Sequence, residues 1–106
     1  MSPNRRTDLQ NDSDTDLLDE TQEPKLYKVL LHNDDYTPMD FVILVLKKFF
    51  GKNETDAYKI MLDVHHKGVG IGGIYSDEVA ETKSMHLNQF AKSNQYPLKS
   101  SIEEAE

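Results

Sequence analysis

An amide and two carboxylates stand side by side at Asn33, Asp34 and Asp35, and Tyr36, Thr37, Pro38, Met39 and Asp40 follow directly. An alternating apolar run, Leu26 to Leu31, precedes them, and a long apolar run, Phe41 to Phe50, comes after. A strand-to-helix junction is therefore expected to hold these acceptors and fix their direction. So dense a set of acceptors suits a positively charged donor group. The same residues suit a plain turn, because Asn and Asp side chains bond nearby backbone. At this level both readings stand.

His65 and His66 are the next candidates. With His32, Asp34 and Asp35 they admit a metal reading, a small metal-dependent hydrolase using His32, Asp34, Asp35 and His65. Adjacent helical residues point about 100° apart, so the histidine pair does not chelate from one face. No ordered ligand spacing supports the site either. Helical spacing puts His65 beside the apolar Met61 and Val64, and His66 with Lys59 and Asp63 on the polar side. A lone histidine on such a stripe is as readily a hydrogen-bonded structural residue as a ligand-binding one. No serine nucleophile stands near a base, there is no cysteine, and adjacent carboxylates alone do not make an acid/base pair.

The glycines of the 68–73 run superficially resemble a phosphate-binding loop. They follow a helical stretch and lead through a strand, the reverse of the order a dinucleotide fingerprint needs. A helix cap followed by a kinked strand is the better reading, and nucleotide binding is set aside.

The elements that must carry these groups follow from periodicity. Tyr27, Val29 and Leu31 alternate with Lys28, Leu30 and His32, which predicts a half-buried strand. Thr37 is expected to cap the next helix, with Pro38 in its first position and Asp40 as a capping-box acid, running to Phe50 and stopping at Gly51. A second helix is predicted from Asn53–Thr55 to Gly68 and a strand from Val69 to Tyr75. A third helix, capped by Ser76, runs from Asp77 to about Asn94. Leu98 to Ile102 forms a last strand. The order β-α-α-β-α-β predicts an α+β two-layer sandwich, a three-stranded sheet packed against three helices.

Composition narrows the partners. The chain has 106 residues, 12 basic and 19 acidic side chains, a formal charge of −7 and no cysteine. That allows one small domain, argues against a nucleic-acid footprint, and excludes disulfides and thiol chemistry. Residues 1–25 hold seven acids and three bases with few apolar side chains, so 1–23 is expected to be a flexible acidic extension and 24–106 the core domain. No signal peptide or bilayer-spanning run is evident, and a cytoplasmic monomer is expected.

In combination these residues match a known pattern. The runs Tyr27-Lys28-Val29-Leu30-Leu31 and Asn33 to Val42, then Met61-Leu62-Asp63-Val64-His65 and Glu78-Val79-Ala80-Glu81-Thr82-Lys83, resemble the ClpS family, bacterial adaptors of the Clp protease. The resemblance spans residues 24–102 in order. It implies a non-enzymatic, cofactor-free adaptor that binds N-degrons beginning with Leu, Phe, Tyr or Trp and delivers them to the ClpA unfoldase for degradation by ClpAP. By the same resemblance Asn33, Asp34 and His65 would hold the substrate's α-amino group, and Asp35 and Thr37 the first peptide unit. Met39, Val42, Met61, Val64 and Leu98 would line the side-chain pocket, with Met39 as a gate against β-branched residues. Glu78 and Lys83 would dock on the ClpA N-terminal domain.

Overall fold

The alternation in the first strand becomes a division between core and solvent. In β1 (Leu26–His32) Val29 and Leu31 are fully buried, while Lys28 and Leu30 on the other face retain exposed surface. The computed structural model describes residues 24–106; the acidic extension expected over 1–23 lies outside the described residues. After β1 come α1 (Met39–Phe50), α2 (Glu54–Lys67), β2 (Val69–Ser76), α3 (Asp77–Ser93) and β3 (Lys99–Glu104). The three strands form one sheet in the order β2-β1-β3, with β1 antiparallel to both neighbours. This is the α+β sandwich that the periodicity predicts. No helix among the described residues is long and apolar enough to cross a membrane.

Each helix turns one stripe inward. In α1 Phe41, Val42, Val45, Leu46 and Phe50 are buried, the spacing of a single helical face. The aromatic ring of Phe41 stacks on Phe90 of α3 at 5.5 Å and meets Tyr96 at 4.5 Å. In α2 Ala57, Met61 and Val64 are buried. The helix begins at Asn53, whose Oδ1 accepts from the Asp56 amide at 2.8 Å. It ends at Gly68, at φ +88° in the left-handed region, whose amide donates to the Val64 carbonyl at 3.0 Å.

One expected cap moves, and another holds its place without a side-chain bond. The residue at the N-cap of α1 is Pro38, not Thr37, and α1 has no side-chain cap; Asp40 closes no capping box. Proline has no amide to satisfy, and its carbonyl accepts from Phe41 at 3.1 Å and Val42 at 3.2 Å, so the turn closes without Thr37. The hydroxyl of Thr37 is used elsewhere, as described below. Ser76 does occupy the N-cap position of α3, but its side chain makes no capping bond.

The glycine-rich run is a strand with an irregularity where its pairing shifts opposite Val29 and Leu30. A β-carbon on Gly72 would lie 2.8 Å from the Phe50 ring, so a side chain there would collide with the last aromatic of α1. At the other edge of the sheet, a polar clasp joins α3 to β3. The Ser84 and Ser100 hydroxyls lie 2.7 Å apart, the Ser100 amide donates to Asn88 Oδ1 at 2.7 Å, and Asn88 Nδ2 donates to the Ser100 carbonyl at 3.3 Å.

Candidate ligand-binding site

The acceptor stretch leaves β1 and is fastened at both ends. The Asn33 amide donates to the Gly68 carbonyl at 3.0 Å, which joins the end of β1 to the cap of α2. One residue on, the Asp34 carboxylate organises the loop around itself. Its Oδ1 accepts from the amides of Tyr36 at 2.8 Å and Thr37 at 2.7 Å, and its Oδ2 accepts from the Thr37 hydroxyl at 2.7 Å. The turn and the binding readings of Asp34 are thus not exclusive: the residue makes the turn and still faces the hollow described next.

Burial pulls the Asp34 carboxyl upward, but the Thr37 hydroxyl and the Thr37 and Tyr36 amides outweigh it. The group titrates below its ordinary value of 3.8. It is a carboxylate across the neutral range, and the charge sits at the lip of a cavity.

That cavity has a volume of about 510 Å³ and lies between the loop, the first turn of α1 and the last turns of α2. Asn33, Asp34, Asp35 and Thr37 contribute its polar lip, together with His65 from α2. Val42, Met61 and Val64 form the apolar wall and are 6%, 3% and 2% exposed. Met39, 49% exposed, stands at the mouth. Helical spacing explains the wall: Met39 and Val42 are three apart on α1, and Met61, Val64 and His65 share one side of α2.

Leu98 is the exception among the residues singled out for the pocket. It is 2% exposed, in the same buried cluster as Val42, Met61 and Val64, but unlike them it does not border the cavity. It immediately precedes β3, and the turn into that strand directs it inward. Tyr36 and Pro38 line the cavity although sequence reasoning assigned them no part in binding. Their only signal was adjacency, since a loop has no period that sorts inward from outward positions.

Glu78 and Lys83 line a separate hollow of about 390 Å³ on α3, with Val79, Thr82 and His86. Glu78 is exposed, whereas the Lys83 ammonium donates to the Phe49 carbonyl at 2.8 Å and lies over the Tyr75 ring at 5.1 Å. Lys83 therefore also pins α3 to the end of α1.

The metal reading finds no support. Among the described residues, no group of three or more His, Cys, Asp or Glu side chains is placed to hold a metal ion. His32 turns its Nε2 to the Ser101 hydroxyl at 2.7 Å, a pairing with β3, and it does not line the cavity.

Fold and hollow together have the make-up of a small α+β binding domain. Residues 22–101 match the family model described as ATP-dependent Clp protease adaptor protein ClpS. The chain is 61% identical over 88 residues to the ATP-dependent Clp protease adapter protein ClpS of Bdellovibrio bacteriovorus, covering 83% of this chain and 77% of that one. It is 59% identical over 86 residues to the ClpS of Shewanella pealeana, covering 81% and 84%. Among solved structures it resembles Agrobacterium tumefaciens ClpS2 bound to L-phenylalaninamide, with a TM-score of 0.76 and 37% identity over 78% of this chain and all of that one. The chain belongs to the ClpS family of adaptor proteins of the Clp protease.

Proposed function

We propose that this adaptor reads the first residue of substrate proteins, gripping the free α-amino group at the lip of the hollow and taking a bulky apolar side chain (Leu, Phe, Tyr or Trp) into its interior. It then delivers the bound protein to the ClpA unfoldase through the α3 surface around Glu78 and Lys83, and itself catalyses nothing. The observation that carries this reading is the union, in one cavity, of a carboxylate-and-imidazole lip with a Val42, Met61 and Val64 wall.

Chemistry favours that match. An α-amino group has a pKa of about 7.7–8.0, so at neutral pH it is mostly an ammonium with three donors. The Asn33 amide oxygen, the Asp34 carboxylate and the His65 imidazole are a matching set of acceptors. Charge-assisted hydrogen bonds contribute about 1.5–3 kcal/mol each. Burying an aromatic side chain removes about 150–250 Å² from water, or about 4–6 kcal/mol gross. Association costs consume much of either term alone, so affinity requires both ends of the ligand. Methionine at the mouth and in the wall is deformable, which lets one chamber take Leu and Trp alike. The ligand on the Agrobacterium protein, L-phenylalaninamide, carries that combination: a free α-amino group beside a benzyl side chain.

Fluorescence anisotropy with labelled peptides tests the reading. A peptide beginning with Leu or Phe binds, while its N-acetylated copy and an Arg-initiated copy do not. Equal binding of the acetylated peptide would overturn it.

A further inference from the structure

Gly70 lies within β2 opposite Leu31, against the inner face of α2. A β-carbon at this position would stand 2.7 Å from Val64 Cγ2 and 3.2 Å from the Ile60 carbonyl oxygen. Backbone conformation does not call for glycine here, because the positive-φ glycines are Gly51 and Gly68. What requires glycine at 70 is contact. The strand touches α2 through the bare backbone, and Val64 fills the space a side chain would occupy.

Val64 has a second role. It is 2% exposed, and its remaining surface lines the cavity, so it stands between β2 and the hollow. A helical valine has one strongly preferred rotamer and cannot swing aside freely. The Ile60 carbonyl belongs to the helix backbone and yields only if α2 shifts. Any atom added at Gly70 therefore moves Val64, or the turn carrying Met61 and His65, toward the cavity.

We propose that Gly70, although outside the lining, determines specificity: by letting β2 close onto Val64 it sets the depth of the chamber and admits the largest first side chains. The inference rests on the reading of the hollow as the seat of a substrate's first side chain. An added methyl takes room that an indole needs and an isobutyl group does not.

The test uses the full chain and peptides beginning with Trp, Phe and Leu, with the ratio of Trp to Leu dissociation constants as the readout. Gly70→Ala raises that ratio about tenfold, the scale of one methylene in a filled apolar pocket. Because Val64 itself lines the cavity, the double variant is read against Val64→Ala alone, and there the added Gly70→Ala change has no effect on the ratio, since the methyl it would strike is gone. A merely structural role for Gly70 would weaken all three peptides alike, and an unchanged ratio in Gly70→Ala overturns the proposal. Should that variant fail to fold, the comparison moves to the Val64→Ala background. There the added Gly70→Ala change leaves the ratio unaltered, and a tenfold change would be fatal. If the unsubstituted protein binds no unblocked peptide, the reading of the hollow fails and takes this inference with it. Binding with an unmoved ratio sinks the inference alone.

Discussion

The main-chain amide of Asn33 is hydrogen-bonded to the carbonyl of Gly68 at 3.0 Å, so the acceptor loop and the end of α2 are held in one register. The bond exists because Gly68 adopts φ +88°, which turns the chain out of the helix toward β2. Asn33 and His65 border the same cavity. A bond between backbones leaves both side chains available.

That separation gives the first prediction. Asn33→Ala and His65→Ala each keep the backbone tether, and both residues are exposed, so thermal stability should change by no more than about 0.5 kcal/mol. Affinity for a Leu-initiated peptide should fall about tenfold or more, the loss of one hydrogen bond to a charged donor. Calorimetric titration of the two variants checks it; unchanged affinity in both would remove them from the amine site.

The Asp34–Thr37 clasp gives a prediction about acid. A carboxyl whose folded pKa lies below its unfolded value stabilises the protein fully above the unfolded value, and this contribution is lost as pH falls through the folded pKa. Thr37→Val deletes the hydroxyl donor to Oδ2 and should move the Asp34 titration upward. Carboxyl chemical shifts followed by NMR through the acid range would report that movement. The variant should be about 0.5–1.5 kcal/mol less stable at neutral pH. The deficit should shrink once both proteins are protonated at Asp34. A deficit that persists undiminished in strong acid would mean the hydroxyl acts through something other than the carboxylate.

Gly72→Ala tests the packing of α1 on the sheet. The new methyl would meet the Phe50 ring at 2.8–2.9 Å, and overpacking of this kind costs about 1–3 kcal/mol. The urea midpoint should drop accordingly with the slope unchanged. A midpoint equal to that of the unsubstituted protein would show that Phe50 moves away freely.

The two surfaces should also be separable. Glu78 is exposed and makes no side-chain hydrogen bond or ion pair among the described residues, so Glu78→Lys should fold normally and bind Leu-peptides unchanged. Its binding to the ClpA N-terminal domain should weaken by about tenfold or more, as for a reversed charge at an interface. Retained ClpA binding, measured by surface plasmon resonance, would move the docking site elsewhere. Lys83 is a poorer probe, because its ammonium also holds the Phe49 carbonyl.

Much of this architecture is legible in the chain itself. Strand alternation at Val29 and Leu31 and the helical stripe of Phe41, Val45 and Leu46 are driven by burial, which leaves a period in the chain. Asn33, Asp34 and Asp35 stand out as adjacent acceptors at a strand-to-helix junction, and Met61, Val64 and His65 share one side of a predicted helix. What escaped depends on contacts between distant residues. The Lys83 bond to Phe49 spans 34 positions, and nothing local at Gly70 reveals that Val64 fills the space above it. The cap expected at Thr37 is not made because proline usually takes the first helical position, whereas here the helix starts one residue after Pro38. For Leu98 no local period marks a place at the cavity, and only the resemblance points there.

The carboxamide of Asn88 bears on how molecules of this protein meet one another. A sheet margin with bare peptide groups is a template for a foreign strand and a seed for polymers. By laying its own side-chain amide on both the N–H and the C=O of Ser100, the chain occupies that slot with a group that cannot be extended. The border of the sheet is closed there from within, and a crowded cell finds one fewer place to begin a fibre.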